Sequence, residues 1–268
     1  MAERNRLIVL DFDGTLCLGE DPVLTYARAV DAMLADRGLS DRLPRSVHSI
    51  VKQALERDDL LAEEIAYRSD GTPLAAAQGE PAETTEAHPV SWPVQDGYQL
   101  TQLLAHQAGL TAEQSGACFR QARRELVDAG LEHCDLHAPA GASELLQQLR
   151  THAAVVLITN SPAEGFAPWL ETLRLQDSFD AVINDARKPF GMPAALESAR
   201  AAAEQTVPAE HVLSVGDIWA NDLQHVARIG GTTVLIDRFG TGLGDPDHRV
   251  TSWEDAAPIM SAWSAGSL

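Results

Sequence analysis

Two aspartates one residue apart, Asp11 and Asp13, stand in the run Asp11-Phe12-Asp13-Gly14-Thr15. Successive side chains of an extended segment point to opposite sides, so Phe12 can pack into a core while its neighbours face a cleft. Two carboxylates at this spacing can divide their work. One offers a side-chain oxygen, beside a backbone oxygen, to a hard divalent cation, and the other carboxyl stays available for proton transfer. Gly14 then lets the chain turn without a side-chain clash. Asp and Gly also build ordinary turns, so the meaning of the run depends on what precedes it and on what the rest of the chain supplies.

The run is preceded by Leu7-Ile8-Val9-Leu10, a continuous apolar stretch that reads as a buried parallel strand ending in a loop. Three further polar clusters follow the same logic. Thr159-Asn160-Ser161-Pro162 follows the apolar run Ala154–Ile158, Lys188 precedes Pro189, and Gly216-Asp217, followed by Asn221-Asp222, comes after Val212–Val215. Lys188 is one of only two lysines, the other being Lys52, in a chain whose cations are otherwise arginines. A compact ammonium suits a small site.

This constellation resembles the haloacid dehalogenase-like hydrolase superfamily, in particular its aspartate-nucleophile phosphatases with a helical cap inserted after the first core strand. The resemblance implies that Asp11 attacks phosphorus and that Asp13 acts first as acid and then as base. Thr159 would hold a phosphoryl oxygen, Lys188 would steady the charge, and Asp217 would complete a metal site with Asp11 and Asp13. Asp222 lies five positions after Asp217, whereas a common family spacing would put an acid at Asn221, so Asp222 is assigned a supporting role at the metal or at Lys188. Gly14, Asn160 and Arg187 are the substrate-side candidates, Arg187 because it adjoins Lys188. Ser161 is a further donor whose direction Pro162 leaves open, and no serine-esterase elbow surrounds it.

The chemistry is self-consistent. An Asp carboxylate approaching a phosphate ester meets a Coulomb repulsion of about 4 kcal/mol at 4 Å and an effective dielectric near 20. Mg²⁺, which prefers oxygen ligands, and the Lys188 ammonium are the two sources of compensation. A covalent aspartyl-phosphate divides the transfer into two steps.

The elements that must position these groups alternate. Strands are predicted at Leu7–Leu10, Ala154–Ile158, Ala181–Ile183, Val212–Val215 and Thr233–Ile236. Helices begin near Gly141, with Leu145, Leu146 and Leu149 inward, and near Met192, with Ala195, Leu196 and Ala199 inward. That pattern predicts an α/β fold, a Rossmann-like parallel sheet flanked by helices. The long stretch between the first two strands exceeds an ordinary connection. It carries helical periods from Asp21-Pro22, read as N-cap and first helical position, over about 46–67, over 97–106, and from the capping-box pair Thr111 and Gln114 to Gly130. Residues 70–94, rich in Gly, Pro, Ala, Glu and Thr, read as a loop. Residues 1–16 and 138–268 are accordingly assigned to the core and 17–137 to a mostly helical cap domain.

Asp and Glu total 39 against 20 Lys and Arg in 268 residues, a formal charge of -19 that disfavours a nucleic-acid polymer as partner. A small anion is still admissible, because a metal and a few local donors reverse the potential inside a cleft. Cys17, Cys118 and Cys134 show no paired spacing, and no apolar run approaches a membrane span. A cytoplasmic protein without membrane contact is expected. The predicted function is Mg²⁺-dependent hydrolysis of a small phosphorylated metabolite. The alternatives are a sugar-phosphate mutase and a non-catalytic phosphate-ligand binding protein.

Overall fold

The computed structural model describes residues 5–62, 65, 94–203 and 207–267. They divide into two compact units, one of residues 1–18 and 137–268 and the other of residues 19–136. The predicted loop 70–94, except Val94, and most of the far end of the predicted helix 46–67 lie outside the described residues.

In chain order the elements are β1 (Leu7–Leu10), α1 (Asp21–Asp36), α2 (Val47–Glu56), α3 (Gly97–Gln107), α4 (Ala112–Ala129), α5 (Ala142–Leu149), β2 (Ala154–Ile158), α6 (Ala167–Thr172), β3 (Ala181–Ile183), α7 (Met192–Ala202), β4 (Val212–Gly216), α8 (Gln224–Arg228), β5 (Thr232–Ile236), β6 (His248–Val250) and α9 (Trp253–Ser264). The strands form one sheet in the order β3-β2-β1-β4-β5-β6. All its pairings are parallel, Leu7 standing opposite Ala154 on one side and Val212 on the other. This is the predicted Rossmann-like sheet, extended by β6 and followed by an additional helix, α9.

Continuous apolar runs become central strands here because both faces are covered. On one face Leu7, Val9, Val156, Ile158 and Val212 pack with Met192, Ala195, Leu196 and Ala199 of α7 and with Val226 of α8. On the other face, α5 and α9 touch each other and contact β2 and β5 respectively. Of the predicted inward leucines of α5, Leu146 and Leu149 are buried and Leu145 is half-buried. Ser252 caps α9 by accepting from Asp255 N–H, and Trp253, Ala256, Met260 and Trp263 form its buried stripe. Pro258 inside it masks the period. After β1 the chain turns sharply, the Phe12 carbonyl accepting from Leu16 N–H at 2.9 Å and Cys17 N–H at 2.8 Å. The chain leaves the core and returns to it through adjacent segments, Leu18 and His137 exchanging two backbone hydrogen bonds of 2.9 Å.

In the helical unit, Thr111 and Gln114 form the predicted capping box at the start of α4. Two readings are corrected. Asp21 is the first residue of α1 and not its cap: Glu20 occupies the cap position, with no side-chain bond. The Asp21 carboxylate instead accepts from Asp135 N–H at 2.7 Å, while the Asp135 carboxylate accepts from Glu20 N–H at 3.1 Å. Helix α2 stops at Glu56, well short of residue 67. Its end is a left-handed turn at Asp58, φ 49°, with Asp58 N–H bonded to Leu55 O at 3.1 Å and Asp59 N–H to Ala54 O at 3.0 Å. That double bond satisfies the last carbonyls of the helix, and aspartate tolerates the left-handed region better than most residues.

Among the described residues no helix is long and apolar enough to cross a membrane. The three cysteines form no disulfide.

Phe12 is fully buried, its ring meeting Phe166 edge-on at 4.8 Å between centroids and Trp169 at 6.5 Å. It anchors the turn that carries both aspartates. Phe12→Ala is therefore expected to cost about 3–5 kcal/mol, read as a lowered midpoint in urea unfolding with an unchanged slope.

Candidate active site

Each predicted site residue of the core leaves the C-terminal end of a strand or the loop beyond it. Asp11 directly follows β1, and its N–H extends the ladder to Val215 O at 3.0 Å. Thr159 does the same after β2, its N–H donating to Ile183 O at 2.9 Å. Lys188 lies between β3 and α7, and Asp217 follows β4. Strand order reverses direction about β1, between β2 and β4. In open α/β sheets the crevice at that point is where ligands bind.

Asp222 arrives by a different device. Residues Trp219–Leu223 form a π-helical turn, which is wider than an α-helical turn and takes up an additional residue. Ile218 N–H donates to the Asp222 carboxylate at 3.0 Å, Asp222 N–H returns a bond to Ile218 O at 2.9 Å, and the Ser214 hydroxyl holds the Asp222 carbonyl at 2.7 Å. The five-residue separation from Asp217 is thereby accommodated. Asp222 does not cap the helix that follows.

The Lys188 ammonium sits between two carboxylates, donating to Asp11 Oδ1 at 2.5 Å and to Asp222 Oδ1 at 2.6 Å. Asp11, Asp217 and Asp222 are all buried and each brings a carboxylate oxygen within 4.8 Å of the others. Burial drives the Asp11 carboxyl up to about 7, a stronger effect than the downward pull of Lys188, and the Asp222 and Asp13 charges push the same way as burial. For Lys188 burial acts to lower the pKa, but Asp11 and Asp222 outweigh it and hold the ammonium above its usual range. The Lys188 ammonium thus bridges two members of a group of three buried carboxylates, a concentration of negative charge in low dielectric that a divalent ion would help to neutralise.

The residues present fit such an ion. The donors are carboxylate oxygens, the ligands hard cations take. The backbone also makes room for them: at Gly14, φ +83°, an added Cβ would lie 2.0 Å from Asp217 Oδ2, and at Gly216 an added Cβ would lie 2.5 Å from Asp222 Cβ. Gly14, predicted on the substrate side, is seen to make room for Asp217.

The remaining candidates separate. The Asp13 carboxylate lies outside the group of three and accepts from the Ser161 hydroxyl at 2.8 Å. Thr159 is buried and its Oγ1 accepts from Ser161 N–H at 3.0 Å, which leaves the hydroxyl proton for another acceptor. Asn160 grips the backbone of Lys188 with both ends of its amide, accepting from Lys188 N–H at 2.6 Å and donating to Lys188 O at 3.1 Å. Its side chain is committed to positioning the lysine. Arg187 is exposed and left-handed, φ 54°. Sequence reasoning missed Ser214, although a lone hydroxyl in the buried run Val212–Val215 was a signal for it. It also missed the partner of Ser161, for which the sequence carries no signal.

The family model of haloacid dehalogenase-like hydrolases matches residues 5–230. No curated protein matches the sequence. Among solved structures, the chain is similar to a haloacid dehalogenase-like family hydrolase from Xanthomonas campestris, with 16% identity, a TM-score of 0.53, and coverage of 99% of this chain and 94% of that one. A predicted phosphoglycolate phosphatase from Haemophilus somnus gives 16% identity and a TM-score of 0.57, over 97% and 99% of the two chains. YfnB of Bacillus subtilis, assigned as a HAD-hydrolase and bound to magnesium, gives 17% identity and a TM-score of 0.51, over 96% and 99%. Those identities carry the fold alone, whereas the family match spans most of the chain, the β1 aspartates and the β4 acidic turn. The chain is an enzyme of the haloacid dehalogenase-like hydrolase family.

Proposed function

We propose that the enzyme hydrolyses a small phosphomonoester with Mg²⁺, through a phosphoryl group carried on Asp11. The observation that carries this reading is the Lys188 ammonium shared by Asp11 and Asp222 beside the buried Asp217 carboxylate. Asp11 is kept desolvated and oriented for attack, and a fixed cation stands against it.

The side chains of Asp11 and Asp217, with a backbone oxygen of Asp13, would hold Mg²⁺, and Asp222 is close enough to support it. When bound, the ion supplies charge neutralisation and orientation for the phosphoryl oxygens. Asp11 Oδ attacks phosphorus as the ester oxygen leaves, and Asp13 gives that oxygen its proton. Asp13 then takes a proton from the water that attacks the phosphoryl group, and inorganic phosphate departs. The Thr159 hydroxyl donates to a phosphoryl oxygen, while Lys188 holds the nucleophile and balances the added charge. Substrate choice is assigned to residues 17–137, with Arg187 as a substrate-side cation of the core. A small metabolite, neither a nucleic acid nor a membrane, is the partner, and the cytoplasm the location.

The reading is tested by phosphate release from a panel of small phosphoesters. With Mg²⁺ phosphate should appear and no isomeric sugar phosphate should accumulate. Chelation should abolish release and lower the melting temperature, since a ligand of the native state stabilises it by mass action. Full turnover in metal-free protein would end the proposal.

The two aspartates should fail differently. Asp11→Asn removes the anionic nucleophile and should leave no phosphoenzyme in mass spectra of quenched protein. Asp13→Asn should slow alkyl phosphate turnover by roughly 10²–10⁴-fold. On an activated aryl phosphate it should give a burst and then stall with phosphate on Asp11. A phosphoryl adduct on Asp13 or Ser161 would contradict the assignment.

Lys188→Ala withdraws the cation from two buried carboxylates. Turnover should fall by roughly 10²–10³-fold, and Lys188→Arg should not restore it, because a planar fork cannot replace a compact ammonium there. Unchanged turnover in Lys188→Ala would show that the lysine is structural.

A further inference from the structure

We infer that Ser161 is a positioning residue for Asp13, fixing the carboxylate that transfers protons in the proposed reaction. The inference rests on that reading of Asp13 and adds a residue to it.

The Ser161 hydroxyl donates to Asp13 Oδ2 at 2.8 Å across a sequence separation of 148 residues. Ser161 is wholly buried. Its backbone is held on every polar side: its N–H donates to Thr159 Oγ1 at 3.0 Å, and its carbonyl accepts from Asp185 N–H at 3.0 Å and from the Asn184 amide at 3.3 Å. The hydroxyl therefore points from a rigid loop, while Asp13 sits half-buried on the turn after β1. A carboxylate in that setting has a rotational choice that a charge-assisted bond from a rigidly held donor restricts.

The arrangement also ties two strands together chemically. Thr159, assigned to the phosphoryl oxygen, holds the Ser161 N–H, and Ser161 holds Asp13. The group that binds the transferring phosphoryl and the group that protonates the leaving oxygen are thus set by one short segment after β2. A carboxyl displaced by about 1 Å from its working position loses on the order of 10²-fold in rate, so the bond has a measurable consequence. Thr159 and Ser161 consequently have different uses despite similar chemistry: one faces phosphate, the other faces the acid.

Four proteins test this: wild type, Ser161→Ala, Asp13→Asn and the double variant, assayed with one alkyl phosphate from the panel and with para-nitrophenyl phosphate. Ser161→Ala should lower kcat on the alkyl ester by roughly 10- to 100-fold, with little change in KM, whereas on the aryl ester, whose leaving group needs little protonation, the burst of Asp11 phosphorylation should be nearly unchanged and only the turnover after it should slow. In the Asp13→Asn background, Ser161→Ala should remove nothing further, because its partner carboxylate is already gone. Ser161→Cys, which keeps the volume but is a weak donor, should fall between the two. Equal losses in both backgrounds, or an aryl-ester burst slowed as much as the alkyl turnover, would make Ser161 a structural residue and overturn the inference. If Asp13→Asn loses activity while Ser161→Ala matches wild type, the inference alone fails. If Asp13→Asn itself matches wild type on the alkyl ester, the acid–base reading fails and the inference falls with it.

Discussion

The Lys188 ammonium, held between Asp11 and Asp222 with Asp217 beside them, is the interaction on which the rest of the site depends. Removing charged groups from water costs several kcal/mol each, and mutual attraction offsets that only where geometry and hydrogen bonding are good. Here the surroundings supply both. Asn160 fixes the lysine by its backbone, not by its charge, so the ammonium can sit between the acids without a competing partner. The Ser214 hydroxyl holds Asp222 by its backbone carbonyl, and Ile218 N–H holds one oxygen of its carboxylate.

The fold makes that concentration of charge feasible by bringing backbone unusually close to side chain. Four strand ends converge where the sheet order reverses, and two glycines remove the atoms that would keep them apart. A side chain at Gly14 would displace Asp217, and one at Gly216 would displace Asp222. Both substitutions would act first on the acidic cluster, since the sheet around them is carried by apolar contacts on its two faces.

Much of this was legible because it follows from period and composition. The apolar runs at β1, β2 and β4 identify buried parallel strands, and the polar residues immediately after them mark the working edge. The scarcity of lysine singles out Lys188 from sequence alone. What the sequence hid was geometry beyond one element. The extent of α2 was overestimated because a left-handed aspartate, Asp58, ends it without glycine or proline. Asp21 resembled a cap because the Asp-Pro pair satisfies the local pattern, whereas its carboxylate serves a residue far along the chain, Asp135. The five-residue spacing to Asp222 looked irregular in one dimension and is absorbed by a π-helical turn in three. Side-chain hydrogen bonds between distant segments, such as Ser161 to Asp13, have no local signature at all.

The two aspartates of the opening motif show how neighbouring identical residues come to stand in different surroundings. Asp11 is buried against Lys188, Asp222 and Asp217; Asp13, two positions on, is half-buried and takes a neutral hydroxyl as partner. Environment and not residue type separates them. A carboxylate beside a fixed cation, with further acids to hold a metal, is suited to stay anionic and attack once the ion is bound. A carboxylate bonded to serine and outside that group of three is suited, in the proposed reaction, to exchange a proton with a leaving oxygen or with water. The turn at Gly14 and the buried ring of Phe12 between the two aspartates create this division, because they let adjacent backbone positions face different surroundings. The same reasoning resolves the apparent conflict between a net charge of -19 and an anionic substrate. The charge that matters is local, and in this crevice the acids serve to hold cations that the substrate then meets.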